Sequence, residues 1–115
     1  MHELSIAISI LDVAEEEAKR HGGGQVAAIH LRLGAFCGVF KDALVSAFEL
    51  ARDGSPWPDV ELIVEEIPLE VFCLDCATRR ILTAPQRLHC PACGTATPDI
   101  VGGRELEVVA LEMAS

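Results

Sequence analysis

The hydrophobic and polar residues follow one another with the spacing of two amphipathic helices. From Glu3 to Arg20, apolar residues recur every three or four positions and polar residues fall on the opposite side. Glycines 22–24 then end this helix. A second helix is predicted over Lys41–Arg52, before a segment rich in Gly, Pro, Asp and Ser. The apolar face of the first helix is predicted to comprise Leu4, Ala7, Ile8, Leu11, Ala14 and Ala18, widened by Ile6, Ile10 and Val13.

Three further segments are typical of β-strands. They cover Val26–Leu33, Val60–Ile67 and Leu106–Met113. Strands separated by helices favour helices packed on one face of a sheet. The predicted fold class is therefore α+β, with two helices packed on a three-stranded sheet. The first strand alternates with period two, and its inward face is predicted to be Ala27, Ile29, Leu31 and Leu33.

The segment between the second and third strands has a different character. From Pro68 to about Gly103 the apolar periodicity weakens, while Cys, Pro and Gly become more frequent. The last strand then resumes the earlier pattern. This change predicts an inserted zinc-ribbon-like domain with four cysteine ligands at residues 69–103, within an α/β domain made of residues 1–68 plus 104–115.

Composition and charge exclude several classes of function. The 115 residues are 50% hydrophobic, so the chain can bury a core. With 9 basic and 18 acidic residues the net charge is -9, which disfavours nucleic acid and anionic membranes despite the local group Arg79, Arg80 and Arg87. No apolar run reaches about 18 residues and no secretory signal is visible, which favours a cytoplasmic protein. We expect no enzyme, because no nucleophile–base pair or phosphate-binding glycine loop is found.

Four of the five cysteines form two CxxC pairs, Cys73-Leu-Asp-Cys76 and Cys90-Pro-Ala-Cys93, which thirteen residues separate. Each pair can direct two thiolates at one ion, and two pairs complete a tetrahedron. Four soft thiolates favour a structural Zn²⁺ with no open position for catalysis. Two disulfides, a redox-active CxxC pair and rubredoxin-like iron are the alternatives. Cys37 stands alone and is expected to be a small buried apolar residue.

The first three residues, Met1-His2-Glu3, have the groups for a second metal site. Methionine aminopeptidase requires a small second residue, so His2 predicts that Met1 is retained with its α-amine. The amine, the His2 amide nitrogen and the imidazole close fused chelate rings, and the Glu3 backbone lies within reach of the fourth position. Such square-planar, nitrogen-rich coordination suits Ni²⁺ or Cu²⁺. The alternative is that these residues bind no metal, and that Glu3 lies here because the positive end of the helix dipole favours a carboxylate.

Taken together, these motifs resemble the HypA/HybF family of hydrogenase-maturation nickel metallochaperones over essentially the whole chain. Besides the two CxxC pairs, the residues that carry the resemblance are Met1-His2-Glu3-Leu4-Ser5, Leu33-Gly34, Gly38-Val39, Phe48-Glu49, Gly94 and Gly103-Arg104-Glu105-Leu106. The chain departs from the family at Cys37, where a small polar residue is more usual. That thiol is either a core residue or an incidental extra ligand.

The resemblance implies a carrier that delivers nickel to the large subunit of NiFe-hydrogenase, with a nickel-handling GTPase of the HypB type as partner. Some family members also support urease maturation. Both a monomer and a homodimer are compatible with the sequence. The alternative function is a zinc-ribbon adaptor that binds proteins and no second metal, and His89 is either a support or an alternative ligand of the zinc site. The site residues implied are His2, with backbone groups of Met1 and Glu3, for nickel, and Cys73, Cys76, Cys90 and Cys93 for zinc.

Overall fold

A computed structural model describes residues 2–83, 88–97 and 99–114. In these ranges the strands form two three-stranded sheets, in the orders β2-β1-β6 and β4-β3-β5. None of the helices described is long and apolar enough to cross a membrane. The elements are α1 (Glu3–Arg20), β1 (Val26–Gly34), α2 (Lys41–Ala51), a 3-10 turn (Arg52–Gly54), β2 (Glu61–Ile67), β3 (Leu69–Cys73), β4 (Thr78–Leu82), β5 (Ile100–Gly102) and β6 (Leu106–Met113).

The predicted α+β class is confirmed. Both predicted helices and all three predicted strands form, and each of their ends lies within one residue of the prediction. The second sheet is an addition, because its strands β3, β4 and β5 were not predicted. They are only five, five and three residues long, and apolar and polar residues do not alternate regularly along them.

Helix α1 buries a narrower face than its sequence predicts. It packs against α2, whose Leu44 and Phe48 are almost fully buried. Leu4 and Ile8 were expected on the apolar face but are 44% and 47% exposed, because the packed helix covers only one stripe of a wide apolar surface. The residues that α1 does bury are Ala7, Ile10, Leu11, Ala14 and Ala18.

Strand β1 departs from strict alternation at its beginning. Ala27 was expected on the inward face but is exposed, whereas Val26 and Ala28 are buried. These two side chains lie beside the buried residues Trp57 and Val60, so at this end the strand is covered on the face opposite Ala27. From Ile29 onward the predicted alternation holds, with Ile29, Leu31 and Leu33 all buried.

The contacts divide the chain into two compact units. The first comprises Met1–Arg32, Val39–Glu65 and Glu107–Ser115, and the second comprises Leu33–Gly38 and Glu66–Leu106. In the second unit, which contains β3, β4 and β5, the buried apolar cluster consists of Leu69, Val71 and Leu82, with Leu88 and Ile100 packed against it. A core of this size stabilises a fold weakly, and small units of this kind depend on a metal or a disulfide.

Candidate metal centre

The first cysteine pair lies at the turn between β3 and β4. These strands are antiparallel with Cys73 opposite Thr78, so Cys73 ends β3 and Cys76 lies in the connecting turn. The backbone N–H of Cys76 donates a hydrogen bond to Cys73 Sγ over 3.4 Å. The next residue, Ala77, has a φ of 53° and turns the chain back into β4. Strand pairing therefore holds both thiols at one end of the second sheet.

The second pair lies in a loop closed by its own backbone hydrogen bonds. The Cys90 N–H donates to the Thr95 carbonyl over 2.8 Å, and the Gly94 N–H donates to the Cys90 carbonyl, also over 2.8 Å. Gly94 has a φ of 79°, which glycine adopts without strain. An isolated antiparallel bridge between His89 and Ala96 flanks this loop. The loop thus presents the two thiols from a closed turn.

The four thiol groups of the two pairs form one cluster. Their sulfur atoms all lie within 4.8 Å of one another, with 3.6 Å between Cys73 and Cys93 and 3.9 Å between Cys76 and Cys90. Four sulfurs at a Zn–S distance of about 2.3 Å form a tetrahedron with edges of roughly 3.8 Å. Disulfide-bonded sulfurs would be about 2.0 Å apart, and none of the five cysteines, all of them in the described ranges, forms a disulfide. The cluster therefore fits one tetrahedrally bound metal ion.

The four thiols differ in burial and in acidity. The hydrogen bond from the Cys76 N–H lowers the pKa of Cys73, but burial and the neighbouring thiols together raise it to about 11. At Cys90, burial raises the pKa, whereas the backbone N–H groups of Cys93 and Ala92 and the neighbouring thiols lower it to about 6. The side chain and backbone of Thr95 lower the pKa of Cys93. Cys73 and Cys90 are buried and Cys76 is half-buried, while Cys93 is the exposed corner of the cluster.

Arg80 is a cationic side chain in contact with this cluster. Interaction with the side chains of Cys76 and Cys90 holds the pKa of Arg80 above its usual value, although burial opposes this shift. A permanent positive charge therefore acts on these two thiols. The sequence marks Arg80 only as one of three local basic residues, since placing it here requires the β3–β4 register, which pairs it with Val71.

A side-chain bond joins the two cysteine loops. Thr95 Oγ1 donates to Asp75 Oδ2 over 2.6 Å, and Cys93 Sγ lies 3.3 Å from Thr95 Oγ1. Sequence reasoning missed both Asp75 and Thr95. The available signal was their position, because Asp75 lies inside one CxxC pair and Thr95 lies two residues after the other.

The residues predicted to bind nickel begin helix α1. His2 has an extended backbone, with φ −86° and ψ 112°, and its carbonyl accepts the Ile6 N–H over 3.2 Å. The residue is exposed and its side chain forms no capping hydrogen bond. Glu3 is the first residue of the helix, and Met1 lies outside the described residues. A nickel site at Met1, His2 and Glu3 stays a prediction.

Two other sequence candidates are not part of the sulfur cluster. His89 is exposed at the bridge described above, and Cys37 is half-buried in the segment after β1. In the described part of the chain, the group of side chains placed to share a metal ion consists of the four CxxC cysteines. Cys37 was expected to be a buried core residue, but part of its surface is accessible to solvent.

Fold and site together define a small α+β metal-binding protein whose second unit holds four thiols around one position. A family model described as "Hydrogenase/urease nickel incorporation, metallochaperone, hypA" matches residues 1–113. The chain belongs to this HypA family, as its motifs predicted. Members of the family are metallochaperones that take part in hydrogenase maturation, and they are not enzymes.

Similar proteins cover nearly the same length as this chain. A hydrogenase maturation factor HypA from Chloroflexus aurantiacus is 48% identical over 112 residues, which are 97% of this chain and 98% of that protein. A HypA from Streptomyces avermitilis is 38% identical over 96% of this chain and 86% of its own. The solution structure of the nickel metallochaperone HypA from Helicobacter pylori is similar with a TM-score of 0.68 at 27% identity, covering 100% of this chain and 99% of the other.

Proposed function

We propose that this chain is a cytoplasmic nickel carrier that binds Ni²⁺ at its N-terminus and delivers it to the large subunit of NiFe-hydrogenase. The observation that carries the proposal is the position of His2. It is an exposed histidine without a capping bond at the start of an 18-residue helix, in a chain of a nickel-incorporation family. Helix α1 begins at Glu3, so His2 lies directly at the start of the helix.

The proposed nickel ligands are nitrogen-rich. The Met1 amine, the His2 amide nitrogen and the His2 imidazole close two fused chelate rings, and a backbone group of Glu3 completes the square plane. Nitrogen ligands in this geometry favour Ni²⁺ over Zn²⁺. Protons compete with the metal for the amine and the imidazole, so the site binds nickel reversibly. Reversible binding on few residues is what a carrier requires.

We further propose that the four-cysteine cluster holds Zn²⁺ as a structural ion. Cys73, Cys76, Cys90 and Cys93 supply four thiolates with tetrahedral spacing and leave no open position. The zinc would stabilise the inserted domain, which we place at residues 69–103 within a nickel-binding domain of residues 1–68 plus 104–115. Its small apolar cluster supports this role, because metal-binding energy then supplies folding energy.

Delivery is proposed to occur by ligand exchange in a complex with the large subunit. A GTPase of the HypB type is the proposed partner in nickel handling. The relatives are named hydrogenase maturation factors, which supports interaction with the maturation machinery. The net charge of -9 favours docking surfaces that are less acidic than this chain.

The experiment is a transfer assay with three full-length proteins, each loaded with one equivalent of Ni²⁺. The parent, His2→Gln and His21→Gln chains are incubated with metal-free hydrogenase large subunit and the GTPase, and nickel is then measured in the separated large subunit. His21→Gln is the matched control, because His21 is an exposed histidine at the other end of α1.

We expect nickel transfer from the parent and from His21→Gln, and transfer near background from His2→Gln. If all three proteins bind the large subunit but none transfers nickel, the chain is a zinc-ribbon adaptor. Equal transfer by the parent and His2→Gln would place the nickel site elsewhere in the chain.

A further inference from the structure

Arg80 lies on the same face of the second sheet as the buried thiol Cys73. In the antiparallel pair of β3 and β4, Val71 is opposite Arg80 and Cys73 is opposite Thr78. Directly opposed residues and alternate residues along a strand share one face. Val71 and Cys73 are both 0% exposed, so this is the inward face of the unit. An arginine on such a face needs a partner for its charge.

The cysteine cluster provides that partner. The side chains of Cys76 and Cys90, whose sulfur atoms are 3.9 Å apart, interact with Arg80 and raise its pKa. A planar guanidinium has donors fixed in a fork, which suits two acceptors at such a distance. The Nε atom of Arg80 is buried and has no hydrogen-bond partner within the described ranges. The head group is therefore inserted beside the sulfurs rather than extended into solvent.

The charge of a metal-loaded cluster explains why a cation would lie there. Four thiolates and one divalent ion carry a net charge of two negative units, and excess charge away from bulk water is unfavourable. Arginine remains protonated throughout the physiological range and halves this excess. Hydrogen bonds from a cation also make a thiolate a weaker base and so oppose its displacement by a proton.

We propose that Arg80 is a positioning residue of the metal centre: it holds Cys76 and Cys90 as metal-bound thiolates and slows release of the ion. This inference rests on the proposal that the four cysteines bind Zn²⁺. It adds a residue from outside the CxxC pairs to the site. Arg79 is the natural comparison, because it is the adjacent arginine on the opposite face of β4, where it is exposed and paired in register with Phe72.

The test measures zinc release from the full-length chain to an excess of a chromogenic chelator. Four proteins are compared: the parent, Arg80→Gln, which keeps a polar side chain but removes the charge, Arg80→Lys, which keeps the charge but removes the fork, and Arg79→Gln as the matched control. Loss of an outer hydrogen bond to a metal ligand costs roughly 10–100-fold in metal affinity. We expect release from Arg80→Gln to be faster by about this factor, Arg80→Lys to be intermediate, and Arg79→Gln to match the parent.

A spectroscopic measurement separates this role from a merely structural one. In the cobalt-substituted proteins, removal of a cation from the thiolates makes the sulfurs more electron-rich, so their charge-transfer band moves to lower energy in Arg80→Gln. The ligand-field bands keep the intensity of a tetrahedral four-sulfur site. Arg79→Gln should show neither change.

Several results would overturn the proposal. Release from Arg80→Gln at the parental rate would do so, as would equal acceleration in Arg79→Gln or an unshifted charge-transfer band. If Arg80→Gln does not fold, Arg80→Lys decides: faster release supports the role of Arg80, and parental release contradicts it. A parent chain that retains neither zinc nor cobalt would refute the four-cysteine site itself and this inference with it, whereas a metal-loaded parent with an unaffected Arg80→Gln refutes the inference alone.

Discussion

Thr95 donates a hydrogen bond to Asp75 that joins the two loops of the metal centre. The Thr95 Oγ1 and Asp75 Oδ2 atoms are 2.6 Å apart, and Asp75 lies between the cysteines of the first pair while Thr95 follows the second. Thr95 Oγ1 also lies 3.3 Å from Cys93 Sγ, the exposed corner of the cluster. This pair therefore links the relative position of the loops to the most accessible thiol.

Thr95→Val removes the link and preserves the shape of the side chain. We expect zinc to leave this variant faster, at the lower end of the roughly 10–100-fold effect of outer-sphere changes, because both loops stay closed by backbone bonds. Release to a chelator measures the effect. Thr83→Val, at an exposed position in the described range, is the control and should release zinc at the parental rate. Unchanged release from Thr95→Val would show that backbone bonds alone hold the loops.

Cys73→Ala should remove the metal and unfold the second unit. Cys73 is fully buried at the end of β3, and the apolar cluster beside it is too small to replace the energy of metal binding. Metal analysis and circular dichroism should show loss of the single zinc and of strand signal. Cys37→Ala is matched in chemistry but lies outside the cluster, so it should keep one zinc per chain. Stoichiometric zinc in Cys73→Ala, or a coloured iron centre in the parent, would contradict the zinc assignment.

Gly34→Ala tests a close backbone contact within the second unit. The Gly34 N–H donates to the Glu105 carbonyl over 2.7 Å, and a methyl group on Gly34 would overlap the backbone carbonyl of Gly103. We expect a loss of about 1–3 kcal/mol in the free energy of unfolding, the usual range for overpacking. Gly54→Ala is the control, since a methyl group there meets nothing within 4 Å. Denaturant titration compares the two, and equal stabilities would mean that the backbone yields at Gly34.

Long periodic segments were the part of the fold that the sequence could predict. Helix α1 has the predicted bounds because its 18 residues repeat the apolar spacing of a helix several times. The exposure of Leu4 could not be predicted, since periodicity identifies an apolar face but not which part of it a neighbour covers. The short strands β3 and β4 were not predicted, because apolar and polar residues do not alternate regularly along them.

The cysteine cluster was predictable because the spacing of cysteines along the chain is enough to indicate a metal site. Two residues between the cysteines of each pair are enough to bring two thiols together. Arg80 and the Asp75–Thr95 bond depend on tertiary geometry instead. Arg80 reaches the thiols only through the register of β3 and β4, and Asp75 and Thr95 are 20 positions apart in sequence.

Three glycines added before Met1 should weaken nickel binding. The Met1 nitrogen then becomes an amide, and the new terminal amine is too far from His2 to close fused chelate rings with its imidazole. We expect nickel affinity to fall by about tenfold or more while zinc content stays constant, because the added residues are remote in sequence from the cysteines. Calorimetric titration with Ni²⁺ measures the change. An extended chain with parental affinity would remove the α-amine from the proposed ligand set.

The central claim is that His2 holds nickel, and calorimetric titration of His2→Gln with Ni²⁺ tests it most directly. Glutamine removes the imidazole but keeps residue 2 large, so that Met1 is retained, which intact mass confirms. We predict loss of the tight nickel site in His2→Gln, parental affinity in His21→Gln, and one zinc per chain in both, with unfolding free energies within about 0.5 kcal/mol of the parent as for other surface changes. Nickel binding by His2→Gln as tight as that of the parent would contradict the claim.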